Sequence, residues 1–427
     1  MPNIKQHKSY KESGLDWIDS IPSHWGLMKF KFLFKEINER SSEGSEDLLS
    51  VSHYTGVTKK RDNIEEGGML TNAETLEGYK RVYAGDLVSN IMLAWNGSLG
   101  FSPYDGITSP AYSVYRLLWG YNKQYFHYLL RSEVYKAEFK RNSSGVIESR
   151  LRLYTDDFYR IYSLVPPINE QNVIARFLDT KTALIDKAIA IKEKQIELLK
   201  ERRQILINRA VTRGLNSNVK TKDSGVEWIG EIPEHWELQK VKQIYRLIID
   251  PAPKNNDHIL LSVYTDIGVR PRKELEERGN KASTTDGYWM VKSGDLIVNK
   301  LLAWMGAIGI SNYDGVTSPA YDILRPTRRI DGNYFHHLFR TPVCISELRK
   351  HSRGIMDMRL RLYFDKFGDV LVPFPPVKEQ SQISNYIESI TQKDNSVITL
   401  YNNGIEKLKE YKSTLINSAV TGRIKVV

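Results

Sequence analysis

From Glu170 to Thr212 the chain runs without a glycine or proline, and its apolar residues recur at three- and four-residue intervals. Leu178, Ile185, Ile189, Ile196, Leu199 and Leu206 fall on one stripe, flanked by Leu184, Ile191, Leu198 and Ile205. That spacing predicts one long amphipathic helix. The same stripe returns near the end of the chain as Ile387, Ile398, Tyr401, Ile405, Leu408 and Leu415. At 1.5 Å per residue each helix would reach about 60 Å. So long an apolar face needs a partner, and its own duplicate is the obvious one. The alternative is that each helix folds back over the globule preceding it.

The helix is one part of a longer repetition. Ser13–Trp25 (SGLDWIDSIPSHW) returns as Ser224–Trp236 (SGVEWIGEIPEHW), an offset of 211. Gly78–Tyr112 returns as Gly287–Tyr321 with 21 of 35 positions identical, an offset of 209 that holds to the end of the chain. RLRLY stands at Arg150–Tyr154 and Arg359–Tyr363, and a Pro-Pro pair precedes Glu-Gln in Pro166–Gln171 and Pro375–Gln380. Solenoid repeats run to about 20–50 residues, so this is two whole modules in line.

Ahead of each helix the pattern changes to short runs of β-branched and aromatic residues between Gly, Asn, Asp and Pro. In the first copy Asp47–Tyr54, Val82–Met92 and Ala111–Leu117 read as strands. Lys123–Lys140 reads as a short amphipathic helix with Phe126, Leu129, Leu130 and Val134 on its apolar side. The fold class expected is α+β: two tandem β-rich mixed domains joined by two long antiparallel helices with pseudo-two-fold symmetry. The boundaries expected are 1–168 and 214–377 for the globular domains, with 169–213 and 378–427 for the helices. Such a pairing would put the globules at opposite ends of a rod and bring Val427 near Met1.

Composition narrows the function. A net charge of +10 favours an anionic partner, nucleic acid first. The single cysteine, Cys344, excludes an internal disulfide and fits a reducing cytosol. Its neighbours have no zinc-binding spacing, the polar N-terminus lacks the core of a signal peptide, and no apolar run is long enough for a bilayer. The location expected is cytoplasmic, with no membrane and no metal. Catalytic motifs are missing as well. The chain has no Asn/Asp-Pro-Pro-aromatic loop, no Gly-Lys-Ser/Thr phosphate loop and no H-E-x-x-H. Asp156/Asp157 correspond to Asp365/Lys366, which would break a carboxylate metal site in one copy.

With these residues in view the chain resembles the specificity subunits of type I restriction–modification systems. The resemblance is carried by the W-I-G-x-I-P-x-H-W segment (Trp228–Trp236, and Trp17–Trp25 with Asp19 in place of Gly), the G-D-L turns, and P-P-x-x-E-Q at the start of each long helix. It covers essentially the whole chain. It implies a non-catalytic subunit whose two target-recognition domains each read one half of a split double-stranded DNA sequence, with helices setting the spacing. It further implies two methyltransferase subunits and restriction/translocation subunits as partners. S-adenosylmethionine, ATP and Mg would then be held by those partners. The two globules are unusually alike for this family, so similar half-sites in inverted orientation, a nearly palindromic target, are expected. Three other readings remain: the same subunit in a methylation-nuclease system without a motor, a helical scaffold that binds no DNA, and a self-contained nuclease.

A DNA reader needs Lys and Arg on phosphates and side chains on base edges. Lys59, Lys60 and Arg61 are answered by Arg270, Arg272 and Lys273 in the second copy. Arg141, Asn142, Ser143 and Ser144 are answered by Lys350, His351, Ser352 and Arg353. Alternation in RLRLY would put Arg150 and Arg152, and likewise Arg359 and Arg361, on one face of an extended strand. Arg150 and Arg152 could instead pair with Glu148 or Asp157 on a solvated face. Trp17, Trp25, Trp228 and Trp236 read as anchors of the globules more than as stacking platforms. Trp95 and Trp304 stay open, and Asn90 and Asn299 could read adenine or cap a turn. The Glu and Lys residues of Lys192–Arg203 form a solvated face or meet methyltransferase subunits.

Overall fold

The computed structural model describes residues 6–53, 55–63, 75–274, 285–354 and 360–426. It is mixed α+β, with two β-rich regions and two long helices, Ile168–Arg213 and Val377–Val420. The chain divides into two compact units. One is Met1–Lys192 with Asn402–Val427; the other is Glu193–Tyr401.

In the first unit a four-stranded antiparallel sheet has the order Phe34–Ile37, Ser113–Leu117, Leu87–Ser89, Leu99–Phe101. Short hairpin-like pairs flank it: Leu49–Ser52 with Gly56–Lys59, and Lys80–Val82 with Gly106–Thr108. The aromatic core of Trp25, Phe30, Phe34, Tyr115, Tyr125, Phe126 and Phe158 is buried with residues from both long helices: Leu178 and Ile185 from one, Leu415, Ala419 and Val420 from the other. The helices run antiparallel here. Lys412 Nζ meets Asp186 at 2.7 Å, while six residues further along the first helix Lys192 lies over Gly404. Tyr125 Oη donates to the carbonyls of Leu164 (3.2 Å) and Val420 (3.3 Å), tying strand, globule and helix end together. Near the termini, Tyr10 Oη donates to Gly422 O at 3.2 Å.

The second unit repeats this plan. Its sheet order is Tyr245–Ile248, Tyr321–Pro326, Leu296–Asn299, Ile308–Ile310. The pair Tyr115↔Leu87 in the first sheet becomes Leu324↔Leu296 in the second, so the 209-residue offset survives as strand register. Ala210 and Val211 share the core with Ile383 and Ile387. Arg203 Nη1 donates to Asn395 Oδ1 at 2.7 Å, again antiparallel. Tyr334 Oη donates to Val211 O (2.8 Å) and Pro373 O (3.2 Å), the counterpart of Tyr125. Each core therefore takes the first turns of one long helix and the last turns of the other, which excludes a helix folded only over its own globule.

The repeated motifs now have physical reasons. In each G-D-L turn glycine takes a positive φ (Gly85 +94°, Gly294 +93°), which an L side chain rarely adopts. The next residue buries a carboxylate: Asp86 and Asp295 each receive two bonds, at 2.8–2.9 Å, from Arg116 and Arg325 on the neighbouring strand. Those bonds hold both guanidinium groups above their ordinary pKa. In P-P-x-x-E-Q, Gln171 Nε2 donates to Pro166 O (2.8 Å) and its Oε1 accepts from Asn122 N (2.9 Å). Gln380 does the same with Pro375 O and Asp331 N. The amide thus locks the base of each long helix to the globule.

Two expectations are corrected. The predicted helix over 123–140 is two helices, Lys123–Leu130 and Glu133–Arg141, because Ser132 caps the second by accepting from Tyr135 N. RLRLY is not a strand. Arg150 ends a 3₁₀ turn, and Arg152 makes only an isolated bridge to Ser144. One close approach carries a prediction. A Cβ on Gly106 would lie 2.4 Å from Asp47 O, and one on Gly315 2.3 Å from Ile259 O. Gly315→Ala should cost about 1–3 kcal/mol as that backbone is forced apart, measurable by urea unfolding.

Candidate nucleic-acid interface

In the first unit the end of the strand Gly56–Lys59 and the turn after it carry three of the predicted basic residues. Lys59 Nζ sits 2.6 Å from Asp47 and 5.4 Å from the Tyr104 ring centroid, and Arg61 lies 3.3 Å from Asp47. Asp47, hydrogen-bonded by Lys59 and attracted by Arg61, titrates below the ordinary aspartate range. Two of the three cations are thus held in place by one carboxylate, while among the described residues no ion pair engages Lys60. In the second unit Arg270 Nη1 donates to its neighbour's carbonyl, Val269 O (3.2 Å); Arg272 and Lys273 follow in a 3₁₀ turn, and Lys273 is exposed.

The second predicted loop is anchored more firmly. Arg141 Nε lies 3.0 Å from Glu138, and Asn142 Nδ2 donates both to the Glu138 carboxylate and to its carbonyl (2.8 Å each). Both residues close the end of their helix. Lys350 and His351 engage Glu347 at 3.1 and 3.2 Å, and Arg353 lies 3.4 Å from Asp365. The loop beyond is pinched by reciprocal backbone bonds of 2.9 Å, Ser144 with Arg152 and Arg353 with Arg361. Arg150 is exposed and Arg152 half-exposed beside that pinch. Arg152 Nη1 donates to Arg150 O at 3.2 Å, and Arg361 Nη1 to Leu360 O at 2.9 Å. Arg359 lies outside the described residues.

Other side chains fall on the structural side. Trp25 and Trp236 are buried. Asn90 Oδ1 accepts from Met92 N, and Asn299 Oδ1 from Leu301 N, so both amides cap turns. Trp95 Nε1 and Trp304 Nε1 donate within their own turns, to Met92 O and Leu301 O, with Lys140 and Arg349 over the rings. Sequence reasoning missed the loop tip, where Val146 is 99% exposed beside Ile147, and the open ring of Trp119, 94% exposed. Apolar side chains so placed need a partner or solvent, and no periodicity marks them. Along the first long helix the flanking residues Leu184, Ile191, Leu198 and Ile205 are exposed at seven-residue intervals. No helix among the described residues is long and apolar enough to cross a membrane.

No family model matches the chain. It is 22% identical to the type I restriction enzyme MjaVIII specificity subunit of Methanocaldococcus jannaschii, over 95% of this chain and 94% of that one. It is 25% identical to the EcoBI specificity subunit of Escherichia coli, over 98% of this chain and 87% of that one. Among solved structures, the HsdS subunit from Thermoanaerobacter tengcongensis superposes with a TM-score of 0.53 at 15% identity, covering 95% of this chain and 98% of that one. A chain from a study of complex assembly and conformational transition in a type I restriction–modification system reaches 0.65 at 16% identity, covering 95% and 99%. Two like β-rich regions, two long helices packed together, and relatives matched over nearly their full length lead to one conclusion: the chain belongs to the type I restriction enzyme specificity subunits, the non-catalytic components that determine DNA target recognition.

Proposed function

We propose that each β-rich region reads one half of a bipartite DNA target, and that the subunit directs adenine methylation and cleavage by partner modification and restriction subunits. The observation that carries this reading is the doubling itself. Two units repeat the same sheet register, the same buried Asp–Arg clamp and the same pinched basic loop. Repetition of a whole reader suits a two-part target, and the likeness of the readers supports half-sites of similar sequence in inverted orientation. The partners proposed are duplex DNA, two methyltransferase subunits and restriction/translocation subunits, with S-adenosylmethionine, ATP and Mg held by those subunits. The exposed apolar row Leu184, Ile191, Leu198 and Ile205 supports subunit docking along the helix. The domain limits proposed are 1–168, 169–213, 214–377 and 378–427. Sequencing of modified bases in a host expressing the system tests the reading; two unrelated half-sites would remove the near-palindrome.

For DNA contact, the basic residues proposed from sequence divide by their anchorage. Lys60, Lys273 and Arg150 carry charge toward solvent with no ion pair among the described residues. Arg141 and Asn142 hold a helix end. In the complex with its methyltransferase partner, Lys60→Ala and Arg150→Ala should each weaken DNA binding about three- to tenfold. Each should also lower the slope of log affinity against log salt by about one. Arg141→Ala should leave that slope unchanged. Arg359→Ala with Arg361→Ala should weaken the second half-site. Equal slopes for Arg150→Ala and Arg141→Ala, read by gel shift across a salt series, would remove the pinched loop from the interface.

A further inference from the structure

We propose that the first unit contains a metal site, built from His7, His24 and Glu170, that takes a divalent transition metal, zinc by its ligand set. The three residues come from distant parts of the chain: the segment before the first strand, the His-Trp pair at Trp17–Trp25, and the first turn of the first long helix. One ligand atom from each lies within 4.8 Å of the other two. His24 Nε2 is 2.7 Å from one Glu170 oxygen and His7 Nε2 is 3.8 Å from the other. His7 is the decisive residue. Its side chain is only 4% exposed, and its Nε2 is buried with no hydrogen-bond partner. That unpartnered nitrogen stands in the same cluster as the Glu170 carboxylate and the His24 ring. A buried ring nitrogen left without a partner beside a carboxylate and a second imidazole is costly, and a cation among the three would satisfy it.

The second unit supplies a built-in control. There His235 meets Glu379 at 2.7 Å, and the other carboxylate oxygen accepts from Trp236 Nε1 at 2.9 Å. In the first unit Glu170 turns instead toward two histidines, and Trp25 Nε1 is left without a partner. The difference follows from one substitution. The 211-residue offset puts Asn218 opposite His7, so the second copy has no third ligand. The site therefore belongs to one unit only. Two imidazoles and a carboxylate suit zinc at ligand distances of about 2.0–2.2 Å, with one coordination position open to water or a small anion. Seating the ion requires the His24–Glu170 contact to open by a few tenths of an ångström. It would join the N-terminal segment to the base of the long helix, beside the C-terminal residues Ile424–Val426. Lys425 lines the same cavity, so its charge would oppose a bound cation.

The test is competition for Zn2+ between the chelator-stripped full chain and a chromogenic chelator. We expect one tight Zn2+ per chain, and a visible ligand-field band when Co2+ is used as a probe. His7→Gln, His24→Gln and Glu170→Gln should each weaken binding at least tenfold, His235→Gln should not, and Lys425→Gln should strengthen it. Wild-type chain that takes up no Zn2+ at micromolar free metal overturns the proposal without any variant. So does an equal loss in His235→Gln, or a His7→Gln/His24→Gln double variant that keeps native circular dichroism and binds Zn2+ as the wild type does.

Discussion

Replacing Trp236 by alanine should lower the unfolding free energy of the second unit by about 3–5 kcal/mol, and DNA binding should fall only as far as folding does. The indole is fully buried, and its Nε1 donates to Glu379 in the first turn of the second long helix. Its ring also packs 3.1 Å from where a Cβ on Gly214 would stand, at the end of the first long helix. One side chain thus fills the junction where two helix ends and the I-P-x-H-W segment meet, and truncation leaves a cavity plus an unpaired carboxylate oxygen. Trp236→Phe should keep most of the packing and lose the bond, a cost nearer 1–2 kcal/mol. Urea unfolding measured beside DNA affinity at a temperature where the variants remain folded decides between anchor and stacking platform. A folded Trp236→Phe protein that had lost DNA binding would restore the stacking reading.

How much of this was legible beforehand depends on how far apart the partners lie in the chain. The long helices were readable because three- and four-residue spacing is a local signal, and the twin plan because a 209-residue offset can be followed by eye. The break at Ser132 was readable in principle, since serine followed by an acidic residue marks a helix start; the apolar residues on either side masked it. RLRLY misled because a period of two also fits a chain held at one bridge, where Arg152 meets Ser144 and the strand stops. The Asp86–Arg116 clamp spans 30 residues and the His24–Glu170 contact 146. No spacing rule reaches across such distances. The expectation of no metal rested on the spacing around Cys344, the absent H-E-x-x-H motif and the broken Asp156/Asp157 pair, none of which compares residues as far apart in the chain as His7, His24 and Glu170.

The second large effect is a loss of stability in the second unit on acidification. Burial, reinforced by nearby Arg131, depresses His127 to about 4. Burial, with His337, Arg340 and Arg270 adding repulsion, depresses His336 to about 3, and His337 is lowered to about 4 by burial and Arg340 against the pull of Asp331. His336 Nδ1 also accepts from Ile310 N at 3.4 Å, a bond that a protonated ring would turn into opposed N–H groups. In the unfolded chain these rings take up a proton near pH 6.5. The unfolded state therefore binds more protons than the folded one between about 6.5 and the folded values, and stability must fall as pH drops through that window. Above 6.5 the contribution is complete. Each neutral histidine loses at most about 1.4 kcal/mol per pH unit, and less in practice because all three rings keep some contact with solvent. Two such rings predict roughly 2–3 kcal/mol lost from the second unit between pH 6.5 and 5. His336→Gln should flatten the slope of stability against pH by up to one proton while leaving the first unit unchanged, and identical slopes for variant and wild type would show that His336 is not the residue titrating.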